Sequence, residues 1–172
     1  TVSDCKDLNK LVREAQLNKS LVVKVPKLEL PLRLTSFVDA SWNARKGEPS
    51  YAGWITFARE SKCTEEQSEG AVNAYKSVLI SYGCKKVPIS PQSPMSAESR
   101  SLVMASNDSI YVRVYFDEFE LTNPKEACDA LTDSENTSLN VYSTNLPNDK
   151  SLISDCLRLS DLSDANVQHL KW

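Results

Sequence analysis

Three strand-like segments follow one another in the first half of the chain, and their order restricts the fold more than any other feature. The segment LPLRLTSFVD (30–39) alternates apolar and polar residues and then turns apolar, YAGWITFARE (51–60) follows a polar turn, and a third covers about 74–82. Successive strands joined by polar turns favour antiparallel pairing. The Pro- and Ser-rich segment 87–94 ends the series. The sequence therefore predicts a three-stranded antiparallel meander.

The second half of the chain alternates helical and strand-like patterns. Ser93 and Pro94 form a favourable helix start, because an N-cap residue is followed by proline at the first helical position. A meander followed by alternating helices and strands predicts an α/β fold, with a mixed five-stranded sheet flanked by helices. The predicted elements are a helix from Met95 to about Asn107, a segment over 109–121 that continues it or forms another helix, a strand over 126–133, a helix-compatible segment over 134–142, a helix over 148–162 and a strand over 166–172.

The N-terminal segment is predicted to form a separate unit. Leu8, Leu11 and Val12 lie at helical spacing within 3–16, behind Ser3 as a candidate N-cap. A short strand is predicted over 20–25, and Pro26 ends it. We therefore divide the chain into an N-terminal unit over 1–28 and a domain over 29–172.

Composition excludes several classes of protein. The 172 residues suffice for one domain with a real core, and no apolar run approaches the roughly 20 residues that span a bilayer. Five scattered cysteines and one histidine argue against a structural zinc site and favour a reducing, intracellular compartment, cytoplasmic or nuclear. A net charge of −3 requires that any nucleic-acid binding use a local patch. The best candidates are Lys85, Lys86 and Arg100.

Three acidic residues stand out by their positions. Asp39 ends the first long predicted strand, and Asp133 ends the short one. Glu98 lies on the predicted helix three residues after Met95 and four before Leu102, so it points along the apolar face. Carboxylates from two strand ends and a facing helix can converge on Mg²⁺, which prefers oxygen ligands. The sequence therefore predicts a divalent-metal site formed by Asp39, Glu98 and Asp133.

Each of these residues also has a simpler interpretation. Asp39 could be a turn or helix-cap residue, and Asp133 could cap the helix that follows it. Glu98 could extend to the helix edge and reach solvent. Lys85, Lys86 and Arg100 could be ordinary solvated charges. The order strand-Asp, helix-Glu, strand-Asp makes the simple interpretations less attractive when the three acids are taken together.

Several motifs give the chain a resemblance to a known family. The strand end DASW, the strand AGWITF, the helix start SPMSAESRSL, the segment LTDSENTSLNVY and the ending DKSLISDCLRLSDLSDANVQHLKW occur in this order. Together they resemble the ribonuclease H domain of the polyprotein of copia-type LTR retrotransposons. DCKDLNKLVREA also resembles the connector helix that precedes this domain. The resemblance covers nearly the whole chain and implies a ribonuclease H-like fold over 29–172.

The resemblance also implies roles for the acidic residues. Asp39 would bridge two Mg²⁺ or Mn²⁺ ions, and Glu98 and Asp133 would complete the ligand set on the leaving-group side. The family has a fourth acid in a helix after the last strand, whereas this sequence ends at Trp172, before that helix would begin. The domain is therefore expected to lack its C-terminal helix. His169, within the last predicted strand, is expected to be structural or on the surface.

Three functions follow as hypotheses. The first is a metal-dependent endonuclease that hydrolyses the RNA strand of RNA–DNA hybrids, with the hybrid and the reverse transcriptase portion of the same polyprotein as partners. The second is a catalytically inactive domain of the same fold that binds protein or nucleic acid. The third, a recombinase of the transposase or integrase type, requires the helical Glu late in the chain, whereas Glu98 comes second here. No membrane association is expected.

Overall fold

The fold is built on one five-stranded sheet. The computed structural model describes residues 2–20, 25–43, 49–61, 76–88, 91–143, 147 and 150–171. The strand order across the sheet is β3-β2-β1-β4-β5. The elements are α1 (Val2–Leu17), β1 (Leu32–Ser41), β2 (Tyr51–Glu60), β3 (Ser77–Lys86), α2 (Pro94–Glu118), β4 (Cys128–Thr132), α3 (Glu135–Val141), α4 (Lys150–Asp164) and β5 (Gln168–Lys171).

The sheet confirms the predicted mixed topology. Strands β1, β2 and β3 form an antiparallel meander, whereas β4 lies parallel to β1 and β5 lies parallel to β4. Strand β3 ends four residues later than predicted, because Lys85 and Lys86 still pair with Ala52 and Tyr51 of β2. Pairing with a neighbour maintains this polar strand end, which the hydrophobic pattern alone could not indicate.

Helix α2 is one continuous helix of 25 residues, which resolves the alternative left open by the sequence. Ser93 is its N-cap, as predicted, and its Oγ accepts a hydrogen bond of 3.1 Å from the backbone N–H of Ser96. The buried side of α2 carries small residues, including Ala97, Ser101 and Ala105, so the helix approaches the sheet closely.

The hydrophobic core lies between one face of the sheet and three helices. Val38 and Trp54 of the sheet pack in one buried cluster with Leu102 of α2, Val141 of α3 and Leu152 of α4. Because side chains alternate along a strand, the residues between the core positions, such as Phe37 and Ile55, lie on the opposite face. No helix in the described part of the chain is long and apolar enough to cross a membrane.

The N-terminal region agrees with the prediction only in part. Helix α1 is present, but it begins at Val2, so Ser3 lies inside the helix and the prediction that Ser3 caps it is wrong. Most of the predicted strand over 20–25 lies outside the described residues, and Val25 has no strand conformation. The division into units over 1–28 and 29–172 stays a prediction.

Candidate metal centre

The sheet places Asp39 and Asp133 beside each other. Asp39 lies near the C-terminal end of β1 and pairs with Gly53 of β2. Asp133 directly follows β4, whose last residue, Thr132, pairs with Val38 in parallel. Because parallel strands end at the same edge of a sheet, the two carboxylates meet there. Both residues are exposed to solvent.

Helix α2 brings the third carboxylate to the same edge. Glu98 lies in the second turn of this helix and is only partly exposed. One carboxylate oxygen of each of the three residues lies within 4.8 Å of the other two. The structure therefore brings together all three acidic residues that the sequence singled out.

Burial and two neighbouring carboxylates together shift the pKa of Glu98. Burial, followed by the charges of Asp133 and Asp39, raises the pKa of Glu98 from its ordinary value of 4.5 to about 7. A hydrogen bond from the backbone N–H of Ala40 acts in the opposite direction but is the smallest of these effects. Glu98 therefore keeps its proton to a higher pH than a free glutamate does, first because it is partly buried and second because two carboxylates lie beside it.

The donor set fits a hard divalent cation. Three carboxylates provide the oxygen ligands that Mg²⁺ and Mn²⁺ prefer. The Oε2 atom of Glu98 is buried and has no hydrogen-bond partner in the described part of the protein, so this oxygen can serve as a metal ligand. Asp39 Oδ1 accepts the N–H of Ala40 at 2.8 Å, which orients its carboxylate at the strand end.

The simpler interpretations of two aspartates are wrong. Asp39 is not a turn residue, because β1 continues to Ser41. Asp133 is not a helix cap, because Ser134 is the N-cap of α3 and its Oγ accepts from the backbone N–H of Thr137 at 3.4 Å. Neither carboxylate therefore serves in a turn or as the cap of a helix.

A groove of about 840 Å³ opens beside the carboxylates. Its walls come from the start of α2 and from α3, and they include the amide side chains of Asn136 and Asn140. Our sequence analysis did not single out these asparagines. Their spacing of four residues could have indicated that both side chains lie on the same face of the helix.

The three candidate basic residues have different surroundings. Lys85 and Lys86 are exposed at the end of β3, at the same edge of the sheet as Asp39, and Lys85 Nζ lies 5.6 Å from the centre of the Trp54 ring. Arg100, in contrast, donates from Nε to Asp155 Oδ2 of α4 at 2.7 Å. The structure therefore groups the two lysines with the carboxylate edge and ties Arg100 to a helix–helix contact.

Two aromatic residues at this edge were also missed by the sequence analysis. Trp42, just after β1, is 38% exposed and donates from Nε1 to the carbonyl of Pro91 at 3.4 Å. Tyr51, 44% exposed, begins β2 and pairs with Lys86. Trp42 belongs to the DASW motif but was given no role there. Tyr51 lies outside the quoted motifs, and its neighbour at this edge, Lys86, is distant along the chain.

The architecture defines the class of fold. A sheet in the order β3-β2-β1-β4-β5, with α2, α3 and α4 packed on one face, is the ribonuclease H-like arrangement. No protein-family model and no curated protein matches the chain. Solved structures do match it.

Three of these structures are ribonucleases H of distant sequence. The RNase H1 of the archaeon Halobacterium salinarum matches with a TM-score of 0.51 at 14% identity, over 81% of this chain and 83% of that one. The N-terminal RNase H domain of a Mycobacterium tuberculosis protein matches with a TM-score of 0.53 at 13% identity, over 81% and 86%. The compost-derived LC11-RNase H1, in complex with an RNA/DNA hybrid, gives 0.51 at 11%, over 81% and 85%. These likenesses confirm the predicted fold.

Proposed function

We propose that the chain is a retrotransposon-type ribonuclease H that hydrolyses the RNA strand of RNA–DNA hybrids with divalent metal ions. The observation that carries this proposal is the convergence of Asp39, Glu98 and Asp133 within 4.8 Å at the edge of a ribonuclease H-like sheet. The name of one structural neighbour gives support, since that RNase H1 is in complex with an RNA/DNA hybrid. The retrotransposon context and the reverse transcriptase partner rest on the sequence motifs.

The three carboxylates would hold Mg²⁺ or Mn²⁺, with two ions expected. Bound ions supply Lewis-acid stabilisation of the phosphate and a more acidic water. Glu98 must lose its proton to act as a ligand, and its pKa of about 7 places that step near neutral pH. The groove next to Asp133 gives a nucleic-acid strand access to these carboxylates.

The exposed lysines would orient the substrate. Lys85 lies two strands away from β1, which corresponds to about 10 Å across the sheet. This spacing lets Lys85 and Lys86 contact backbone phosphates while the scissile phosphate lies at the carboxylates. Such contacts read the shape of the duplex rather than its base sequence. Arg100 is the weaker candidate for a phosphate contact, because Asp155 already accepts from its guanidinium.

A cleavage assay tests the proposal. The chain is incubated with an RNA–DNA hybrid labelled on the RNA strand, with millimolar Mg²⁺ or with a chelator. We expect Mg²⁺-dependent cleavage of the RNA, and we expect Asp39→Asn to lower its rate by about 100-fold or more, since the variant removes a ligand charge. Duplexes of RNA alone and of DNA alone serve as substrate controls.

Two outcomes decide between the enzyme and the alternative binding module. Cleavage that Asp39→Asn leaves unchanged, or that proceeds equally well with the chelator, would contradict the proposal. Binding of the hybrid without any cleavage would support a catalytically inactive module of the same fold. Asp108→Asn is a matched control, because Asp108 accepts from Ser81 Oγ at 2.6 Å, away from the carboxylate cluster.

A further inference from the structure

Trp42 presents an exposed aromatic ring close to the carboxylate cluster. It follows Asp39 by three residues, so their Cα atoms are at most about 11 Å apart. Its side chain is 38% exposed, although tryptophan is highly buried on average and stabilises a protein mainly by burial. The position of this indole next to the proposed metal site therefore calls for an explanation outside the hydrophobic core.

The Trp42 ring is anchored at both of its ends. Its backbone directly follows β1, whose last residue, Ser41, pairs with Tyr51 of β2. At the other end its Nε1 donates to the carbonyl of Pro91 at 3.4 Å, two residues before the N-cap of α2. The indole has no other hydrogen-bonding group. The ring therefore offers a ligand a fixed apolar surface rather than a donor or an acceptor.

A cation and the carboxylates lie on either side of Trp42. Lys85 is in the same row of the sheet as the buried Ala52, and its Nζ lies 5.6 Å from the ring centre of Trp54, so its side chain is on the helical side. The bond to Pro91 places the Trp42 indole on that side as well. Strand β1, which leads to Trp42, lies between the strand of Asp133 and the two strands that lead to Lys85. A ligand that reaches from the carboxylates to Lys85 therefore passes Trp42.

This order of groups matches the chemistry of a nucleic-acid duplex. Phosphates suit a metal ion and a lysine, whereas the sugars between phosphates offer C–H surface to an apolar ring. An RNA–DNA heteroduplex has A-form geometry, with a wide and shallow minor groove in which the sugar edges are displayed. The minor groove of B-DNA is only about 6 Å wide and about 7.5 Å deep, so an indole does not reach its sugars in the same way.

We propose that Trp42 is a substrate-contact residue that packs against sugars in the minor groove of the RNA–DNA hybrid and so favours the hybrid over duplex DNA. The inference rests on the proposed function, in which the scissile phosphate lies at the carboxylates. Every nucleotide has a sugar, so the contact adds affinity without reading the base sequence. It is made equally in the bound substrate and in the transition state, so it acts on KM and leaves kcat unchanged.

Three substitutions separate contact with the substrate from a purely structural role. Trp42→Ala removes the ring, whereas Trp42→Phe keeps an aromatic ring but loses the hydrogen bond to Pro91. Phe119→Ala is the matched control, because Phe119 is 69% exposed at the far end of α2. It follows Glu98 by 21 residues, which is about 30 Å along a helix. The control thus removes an exposed aromatic ring away from the carboxylates.

The first experiment measures binding by fluorescence anisotropy with a labelled RNA–DNA hybrid and with duplex DNA of the same sequence. Every protein carries Asp39→Asn, so that the hybrid stays intact. We expect Trp42→Ala to raise the Kd for the hybrid about tenfold, within the range for the loss of one aromatic contact to a nucleotide, and Trp42→Phe to raise it less than about threefold. Phe119→Ala should leave it unchanged. The Kd for duplex DNA should change less than about twofold in all variants.

The second experiment reports the contact itself. The hybrid should quench the tryptophan fluorescence of the Asp39→Asn chain, and most of this quenching should disappear when Trp42→Phe is added, because Trp54 is only 6% exposed. A role limited to the bond with Pro91 does not produce quenching. In chains that keep Asp39, Trp42→Ala should raise KM about tenfold and change kcat less than about twofold. Circular dichroism checks the fold of each variant, and the Trp42→Phe quenching tests the contact even if Trp42→Ala does not fold.

The outcomes distinguish a failure of this inference from a failure of the proposed function. A chain that binds or cleaves the hybrid with no dependence on Trp42 would overturn the inference alone, whereas a chain that does not bind the hybrid would overturn both. Equal losses of affinity for the hybrid and for duplex DNA would contradict the minor-groove contact. Equal losses in Trp42→Ala and Trp42→Phe, without quenching, would assign Trp42 to its bond with Pro91 and overturn the inference.

Discussion

Two aspartates four residues apart in and after β4 have opposite surroundings. Asp129 is 1% exposed and has cationic partners, namely Arg33, Arg59 and Lys171. Asp133 is exposed, and it raises the pKa of Glu98 together with one other carboxylate, that of Asp39. Strand β4 thus connects a carboxylate with three cationic neighbours to one for which the described residues form no salt bridge.

The difference separates a carboxylate engaged in buried ion pairs from one that is exposed at the edge of the sheet. A buried charge requires partners of opposite sign, because its desolvation is otherwise not offset. The solvent-accessible edge has no such requirement, so the fold can hold Asp39, Glu98 and Asp133 together, with a raised Glu98 pKa as the cost. A divalent cation would remove that cost. The following predictions test the comparison.

Asp129→Asn should have the largest effect on stability. The substitution leaves Arg33 and Arg59 without the carboxylate that accepts from both, and breaking a buried ion pair costs about 3–5 kcal/mol. Because the two arginines remain about one-fifth exposed, we expect the lower end of this range. Urea denaturation measures the free energy of unfolding. The matched control is Asp133→Asn, which should not lower it without metal, and equal losses in both variants would contradict the comparison.

Mg²⁺ should stabilise the protein by an intermediate amount. A ligand present at about 100 times its dissociation constant adds about 2.7 kcal/mol to the free energy of unfolding, or about 5–10 °C in Tm for a chain of this size. We expect this gain in the unaltered chain and its loss in Asp39→Asn. Thermal unfolding with and without MgCl₂ measures it. K⁺ at equal ionic strength is the control, and an equal gain with K⁺ would show that screening rather than binding is responsible.

Sequence reasoning located the carboxylate cluster but not the cluster around Asp129. Asp39 and Asp133 could be identified because each follows an apolar run. Asp133 does follow the end of β4, whereas β1 continues for two residues beyond Asp39, so the prediction that Asp39 ends its strand is wrong. Arg33 and Arg59 lie 96 and 70 residues from Asp129 along the chain, and no periodicity signals such a pairing. The strand order across the sheet brings these residues together, and that order is set by packing rather than by any single segment.

Contacts between distant residues also determined two features that local patterns could not predict, namely the surroundings of Arg100 and the continuity of α2. Arg100 was predicted to contact nucleic acid, yet the structure engages it with Asp155, 55 residues away. The sequence left open whether the segment over 109–121 continues α2 or forms another helix. In the structure Ser109 is buried, and its Oγ bonds to the carbonyl of Ala105 and to Ser36. Local patterns thus predicted the types of elements well, whereas long-range pairing determined the partners of individual side chains.

Glu98→Gln should have the smallest effect, because Glu98 is only partly buried, and the size of this effect depends on pH. Because the pKa of Glu98 in the folded protein is about 7, against an ordinary value of 4.5, folding favours the protonated form. Its contribution to stability is fully present below about pH 4.5 and is lost as pH rises through about 7. Glutamine stays neutral, so the variant should match the unaltered chain near pH 4 and have the higher Tm near pH 8. Thermal unfolding in chelator across this range measures the difference, and a difference that does not change with pH would show that neither burial nor the neighbouring carboxylates raise the pKa of Glu98.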